Sequence, residues 1–577
     1  MTHTSTLPDA RPSSDRIQTP SLPDARPRSD RFRCGGRESN FLAAMIRNRA
    51  QFARGAAAFL VAVAPALLCA DVTVLPPIGS HMVLQRERPI PVRGTAARGE
   101  EVTVAFSGQK KTAKADEKGK WCVTLDSLAV SKEPATLTAR GSGGSSVTIE
   151  DVLVGEVWFG SGQSNMAFTI DHCENDVKDP ERRDKVLAAI VSGTHPMVRF
   201  HRGSGGWTVS GPDVNRGTSA LMLSFGVALQ RELDVPVGIW VSAIGARPVT
   251  AFLSRQQFEA DPACVAAQER ARKSPEHAPS KAQRDKVLAD WEEAVRQARA
   301  AGTPELRKPP LPMVHGELEG PFFWSSAISD VQGMAIRGVL WDQGESGSGL
   351  PWVDQYTIMG ALIRGWRAEL GQGEFPFLTI QKPNGGGCAW DPADPVTRYA
   401  APFGPLPKNV PQAAIGAFHI PREQHLRLRE YPNTFLVSST DLGGGTHPID
   451  KSSYGARAAR VALGAVYGRP IEIYGPIYKS HVIDGPRVRI SFTNVGKGLA
   501  FRHGDALQGF ALAGADRQFH WADAAIDGDT VVVSCAKVAE PVAVRYAWAG
   551  DFPWANLFNK DGLPALSFRT DDWEEKR

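Results

Sequence analysis

The segment DVLVGEVWFGSGQSNM, residues 151–166, decides the reading of this chain. Its first part is an apolar run rich in Val, Trp and Phe, which reads as a strand. The run ends in Gly160-Ser161-Gly162, and Gln163-Ser164-Asn165-Met166 follow. A serine on a glycine-permitted turn just past a strand presents its hydroxyl at the end of a sheet. The nucleophile elbow G-x-S-x-G needs a second glycine, and Met166 stands there, so that elbow is not matched. A serine that caps the next helix would have the same local pattern.

On the N-terminal side, residues 71–153 hold short β-rich runs: IPVRGTA, EVTVAFSG, GKWCVTL, ATLTARG and VTIEDVLV. Gly, Asp, Lys and Pro separate them, and regular short strands of this kind predict a small β-sandwich. On the C-terminal side the pattern changes. VPVGIWVSAIG and AIRGVLWDQG read as buried parallel strands running into glycine turns, and SALMLSFGVALQRELD and YTIMGALIRGWRAELG as amphipathic helices. That alternation predicts an α/β layered domain over residues 154–468 with a mostly parallel sheet. In such sheets the site lies at the C-terminal strand ends, where GSGQSN, SAIGAR and WDQGES all stand. A charged helical stretch at about 255–309 reads as an insertion, and residues 469–577 return to β-patterning as a C-terminal module.

Residues 1–44 repeat TLPDARPSSDR almost intact as SLPDARPRSDR, and their Pro, Ser, Asp and Arg content predicts disorder or a mis-assigned start. Met45 then opens a basic stretch with Arg47, Arg49 and Arg54, followed by the apolar run Ala56 to Leu68 and by Cys69-Ala70-Asp71. This is the pattern of a signal peptide over residues 45–70, so the expected location is periplasmic or secreted, with no stable membrane span after its removal.

Composition narrows the function. The 577 residues are 42% hydrophobic and 22% charged, with a net charge of +4, and basic residues form no stripe with aromatics. Nucleic-acid binding therefore has little support. Two of the seven cysteines, Cys34 and Cys69, precede the expected mature start. Cys122, Cys173, Cys264, Cys388 and Cys535 are scattered, which argues against a disulfide framework or a metal site.

A serine nucleophile needs a base within reach. His447 follows the apolar strand TFLVSST and the loop DLGGG, at another strand end, although a surface-loop histidine would look the same locally. Acyl transfer also needs donors for the developing oxyanion. Gly245 can offer a backbone N–H and Gln343 a side-chain amide; a tight turn and a helix cap are their bland alternatives.

Taken together these blocks resemble the sialate 9-O-acetylesterase family of SGNH-type carbohydrate O-acetylesterases. The resemblance covers nearly the whole mature chain: SHMVLQRERPIPVRGTA, DVLVGEVWFGSGQSNM, GVLWDQGES, HPIDK and the closing YAWAGDFPWANLFNKDGLPALSFRTDDW. It implies an SGNH-like three-layer α/β/α catalytic domain. It implies Ser164 as nucleophile, His447 as base, and Gly245, Gln343 and the Ser164 N–H as the oxyanion hole. The substrate it implies is an O-acetylated carbohydrate, with no metal or organic cofactor. Two departures stand out. SAIGARPVTAF lacks the aromatic before the glycine and the Gly-Thr after it, and Gly444 stands three residues before His447, where many SGNH enzymes carry an acid. The acid that orients the imidazole is therefore open between Glu345, Asp441 and none. Two rival readings remain: a glycoside hydrolase built on Asp342 and Glu345, and a non-catalytic carbohydrate-binding protein.

Overall fold

The strand Ser146–Gly162 is the spine of the fold. At its start it pairs antiparallel with Ser131–Gly141; at its end it runs parallel to Val237–Ala243 and Gly338–Asp342. The parallel part is buried on both faces, as a sheet covered by helices requires. Val157 and Phe159 pack in one hydrophobic cluster and Trp158 in the other; Val339 and Trp341 share the first and Leu340 the second.

This arrangement is seen in a computed structural model that describes residues 71–176, 183–304, 306–318, 328, 331–411 and 419–573. The expected extension, 1–44, and signal, 45–70, lie outside the described residues.

The central strand order is Trp207–Ser210, His195–His201, Val237–Ala243, Ser146–Gly162, Gly338–Asp342, Phe377–Ile380 and Thr434–Val437. All neighbours are parallel except the antiparallel edge Trp207–Ser210, which confirms the α/β reading of this part. Helices Ala220–Leu233 and Lys451–Ala465 cover one face. They approach closely, since a Cβ on Gly455 would stand 2.6 Å from the Ser224 Cβ. Helix Gln355–Leu370 covers the other face, where Trp366 meets Trp341 edge-on with ring centroids 5.7 Å apart. Local chemistry sets the helix ends. Ser219 and Asp354 accept from the N–H groups of Met222 and Thr357, and Asp234 and Gly371 close the two helices in the left-handed region.

The expected boundary between residues 153 and 154 falls inside the continuous 17-residue spine strand. The N-terminal β-region is thus built onto the same strand that carries Ser164. Its three-stranded sheet, Thr73–Val74, Ile90–Thr95 and Lys120–Leu125, faces the strands that join the spine, and both bury side chains such as Val92 and Leu137 in one cluster. The helical stretch expected at 255–309 is three helices: Arg255–Ala260, Pro262–Lys273 and the mostly exposed His277–Ala300. Phe258 is fully buried, and Arg364 on helix Gln355–Leu370 pairs with Asp261. The C-terminal residues form two four-stranded sheets around a third core. Arg422, almost fully buried, donates to the Ala549 carbonyl at 2.8 Å and the Gly385 carbonyl at 3.1 Å, tying that module to the loops of the parallel sheet. Among the described residues no helix is long and apolar enough to cross a membrane. The five described cysteines are free thiols.

Candidate active site

Three strands end together. Ala243 and Asp342 are both register partners of Gly162. Gly162 has φ +131°, and a Cβ there would lie 2.1 Å from the Asp342 carbonyl oxygen, so only glycine lets the three ends close. The chain then turns into the short helix Ser164–Ala167, whose N-cap position is Gln163. Ser164 is therefore not the cap. Its Oγ stands 2.9 Å from Nε2 of His447, 283 residues away.

His447 comes from the loop after strand Thr434–Val437, one turn before helix Lys451–Ala465. Gly443 and Gly445 hold φ near +88° and +89°, which explains the glycine-rich loop. Tyr454 Oη donates to the Gly443 carbonyl at 3.0 Å, and the His447 ring packs 4.7 Å from the Phe168 ring.

Gly245 follows strand Val237–Ala243, and a Cβ on it would lie 3.9 Å from the Ser164 Cβ. Among the described residues the N–H groups of Ser164 and Gly245 donate to no protein acceptor. Two unspent donors thus flank the serine.

Gln343 is fully buried, and its amide is engaged. Nε2 donates to the Gly347 carbonyl at 3.0 Å and reaches the Arg247 carbonyl at 3.4 Å, and Oε1 accepts from Gln355 at 3.0 Å. In this structure Gln343 ties the Gly245 loop to the loop after Gly344.

The two acids differ sharply. Asp441 is fully buried and takes a bidentate pair from Arg457 at 3.0 and 2.8 Å. Glu345 Oε1 accepts from Asn165 Nδ2 at 2.8 Å and lies 3.2 Å from Lys382 Nζ. Burial pushes the Glu345 carboxyl up, but the Lys382 ammonium together with a hydrogen bond from its own backbone N–H holds the group below the usual carboxylate range. Lys382 in turn lies 2.5 Å from Asp342, and these two carboxylates keep the buried ammonium protonated. Asp342 is 1% exposed, so Asp342 and Glu345 share one buried cation rather than flanking a cleft, and the glycoside-hydrolase reading loses its geometry.

Four residues of this network were not among the expected site residues: Asn165, Lys382, His425 and Lys451. Asn165 follows the serine and Lys451 closes the HPIDK block, so the motifs pointed at both. Lys382 and His425 have no local signal. His425 is 1% exposed and packs at Gly344; burial, then Lys382, pushes its imidazole down to about 4, so it is neutral at ordinary pH. Among the described residues no three His, Cys, Asp or Glu side chains gather as metal ligands.

No family model matches the chain. Sialate O-acetylesterase of Rattus norvegicus is 25% identical over 518 residues, 82% of this chain and 88% of the rat protein. The Homo sapiens sialate O-acetylesterase is 24% identical over 438 residues, 69% of this chain and 72% of its own. A crystal structure of a carbohydrate acetylesterase from Xanthomonas citri matches with a TM-score of 0.64 at 28% identity, covering 87% of this chain and 100% of that one. The chain is an esterase related to the sialate O-acetylesterases. Ser164, His447 and Gly245 come together beside the three strand ends.

Proposed function

We propose that this esterase hydrolyses O-acetyl esters on carbohydrates, sialic acid or plant and algal polysaccharides, through an acetyl-serine intermediate. The observation that carries the reading is the 2.9 Å contact between Ser164 Oγ and His447 Nε2. His447 takes the Ser164 proton as Oγ attacks the acetyl carbonyl, and the Ser164 and Gly245 N–H groups receive the oxyanion. The imidazolium returns the proton to the leaving sugar oxygen. Water then attacks the acetyl-enzyme by the same route, releasing acetate and Ser164.

Gln343 joins the oxyanion hole by exchanging its long 3.4 Å contact with Arg247 while keeping Gly347. Gln343→Ala is then expected to lower kcat by about 10²–10³-fold with the fold preserved. An unchanged kcat with a lower melting temperature would leave Gln343 as a loop tie only.

The acid of the site is Glu345, acting through Asn165, because the Asp441 carboxylate is spent on Arg457. The sheet with helices on both faces supports an SGNH-like three-layer core, carrying an N-terminal β-sandwich and a C-terminal β-module. The signal-like stretch from Met45 supports export to the periplasm or medium.

The deciding experiment uses protein recovered from outside the cytoplasm of its host, with an N-terminus expected near Asp71. Acetate release is measured on a panel of O-acetylated sialic acids, xylans and pectins. Release from at least one of these glycans, abolished by a serine-directed organophosphonate, is the expected result. Activity on aryl acetates alone would overturn the carbohydrate assignment.

A further inference from the structure

Gly444 leaves this enzyme without a carboxylate three residues before its histidine, and a buried amine stands on the other side of that histidine. Lys451, the first residue of helix Lys451–Ala465, is 1% exposed. Its Nζ donates to Asn165 Oδ1 at 2.6 Å. Asn165, also 1% exposed, donates from Nδ2 to Glu345 Oε1 at 2.8 Å and to the Thr446 carbonyl at 2.9 Å. Oδ1 and both amide hydrogens are thereby used. The amide cannot turn over, because its oxygen must face the ammonium and its nitrogen the carboxylate. Asn165 directly follows Ser164, and Thr446 directly precedes His447. One side chain therefore clamps the backbone beside the nucleophile to the backbone beside the base, and Lys451 sets which way it points.

We propose that Lys451 is a positioning residue whose ammonium, through Asn165, holds the His447 loop against the Ser164 turn and so supplies the alignment that a neighbouring carboxylate gives other serine hydrolases. This rests on the serine-esterase reading above. A buried charge is costly to hold in a fold, and one set beside a serine–histidine pair is a candidate for a role there.

The groups around Lys451 come from several elements. Cys173 faces it from the helix Ile170–Asp176, Asp342 and Glu345 from the end of strand Gly338–Asp342, Lys382 from the loop after Phe377–Ile380, and the Phe168 ring lies 5.9 Å away. Asp450 precedes it in the chain. Burial, with Lys382 adding to it, draws the ammonium down to about 8 against the pull of Cys173 and the two carboxylates. As pH rises through that value Lys451 loses its charge and Asn165 loses the partner that fixes it. The deacetylase should therefore have an alkaline limb in kcat set by Lys451.

The experiment measures kcat and KM from about pH 6 to about pH 10 for wild type, Lys451→Met, Lys451→Arg and Asn165→Asp. Wild-type kcat should fall above pH about 8. Lys451→Met should lower kcat about 10–100-fold at nearly constant KM, the range seen when an outer hydrogen-bond partner of a functional group is lost. It should also lack the alkaline fall. Lys451→Arg, charged at every pH used, should recover part of kcat and lack the fall too. Asn165→Asp sets a carboxylate against Glu345 and the Thr446 carbonyl, and should lose kcat comparably even if Lys451→Met fails to fold. Wild-type kcat in a folded variant, or an alkaline limb that survives Lys451→Arg, would overturn the proposal. Organophosphonate labelling separates the two layers of the argument. No labelling of Ser164 in wild type sinks the serine-esterase reading itself. Labelling equally fast in wild type and Lys451→Met sinks only the positioning role.

Discussion

Ser164→Ala is expected to lower kcat for an aryl acetate by about 10³–10⁶-fold while the melting temperature stays near wild type. The activity should collapse because Ser164 Oγ is the hydroxyl that stands 2.9 Å from His447 Nε2, while its polar neighbours are engaged elsewhere. Asn165 is locked by three hydrogen bonds and Gln343 by its carbonyl ties. Oxyanion and binding effects would account for what remains. The fold should tolerate the change because Ser164 Oγ caps nothing: the helix N-cap is Gln163, and the Oγ partner is His447. Alanine takes one partner from the His447 ring, which is exposed to solvent, and the helix first turn favours it. Retention of more than about a tenth of wild-type kcat would show that another group carries the acetyl.

The second large effect is on stability. Asp441→Asn is expected to cost about 3–5 kcal/mol, because it strands the Arg457 guanidinium, only 3% exposed, without its bidentate partner. Arg457 would keep Ser438, at 3.1 Å from its hydroxyl and 3.3 Å from its carbonyl, and one neutral amide oxygen in place of a carboxylate. Activity per folded molecule should change by less than about tenfold, since Asp441 serves helix Lys451–Ala465 rather than the reacting atoms. Pairing it with Arg457→Met should restore much of the loss, as replacing a buried ion pair by apolar groups is often near neutral. Denaturant midpoints for the single and double variants, with kcat corrected for folded fraction, make the measurement. An unchanged midpoint with kcat down about 10³-fold would make Asp441 the partner of His447 and reverse its assignment here.

Asp441 also illustrates how far sequence reasoning reached. Its closeness to His447 made it a natural candidate for the orienting acid. Arg457 lies 16 residues further on, within the helix that follows the loop, and nothing in the local pattern of DLGGGTHP announces that the carboxylate is already taken. Gln343 is similar. The WDQGES block placed it at the correct strand end, but its carbonyl partners come from loops that only packing brings beside it. The N-terminal boundary differs for another reason. Composition changes near residue 153 because the partners change there, from antiparallel neighbours to parallel ones, while the strand itself runs on.

What the sequence by itself determined is whatever depends on neighbours along the chain. The apolar run ending at Gly162, the later strands ending at Ala243 and Asp342, and the helix periods between them make a parallel α/β sheet with Ser164 at the C-terminal end of its strands. Burial periodicity and glycine turns are local properties, so they survive without knowledge of the fold. The tertiary structure alone decided the polar partners. Asn165 meets Glu345 across 180 residues and Lys451 across 286, and Lys382 sits between Asp342 and Glu345 with no motif to mark it. A hydrogen bond needs two atoms within about 3 Å, and that distance is set only when remote strand ends have been packed side by side.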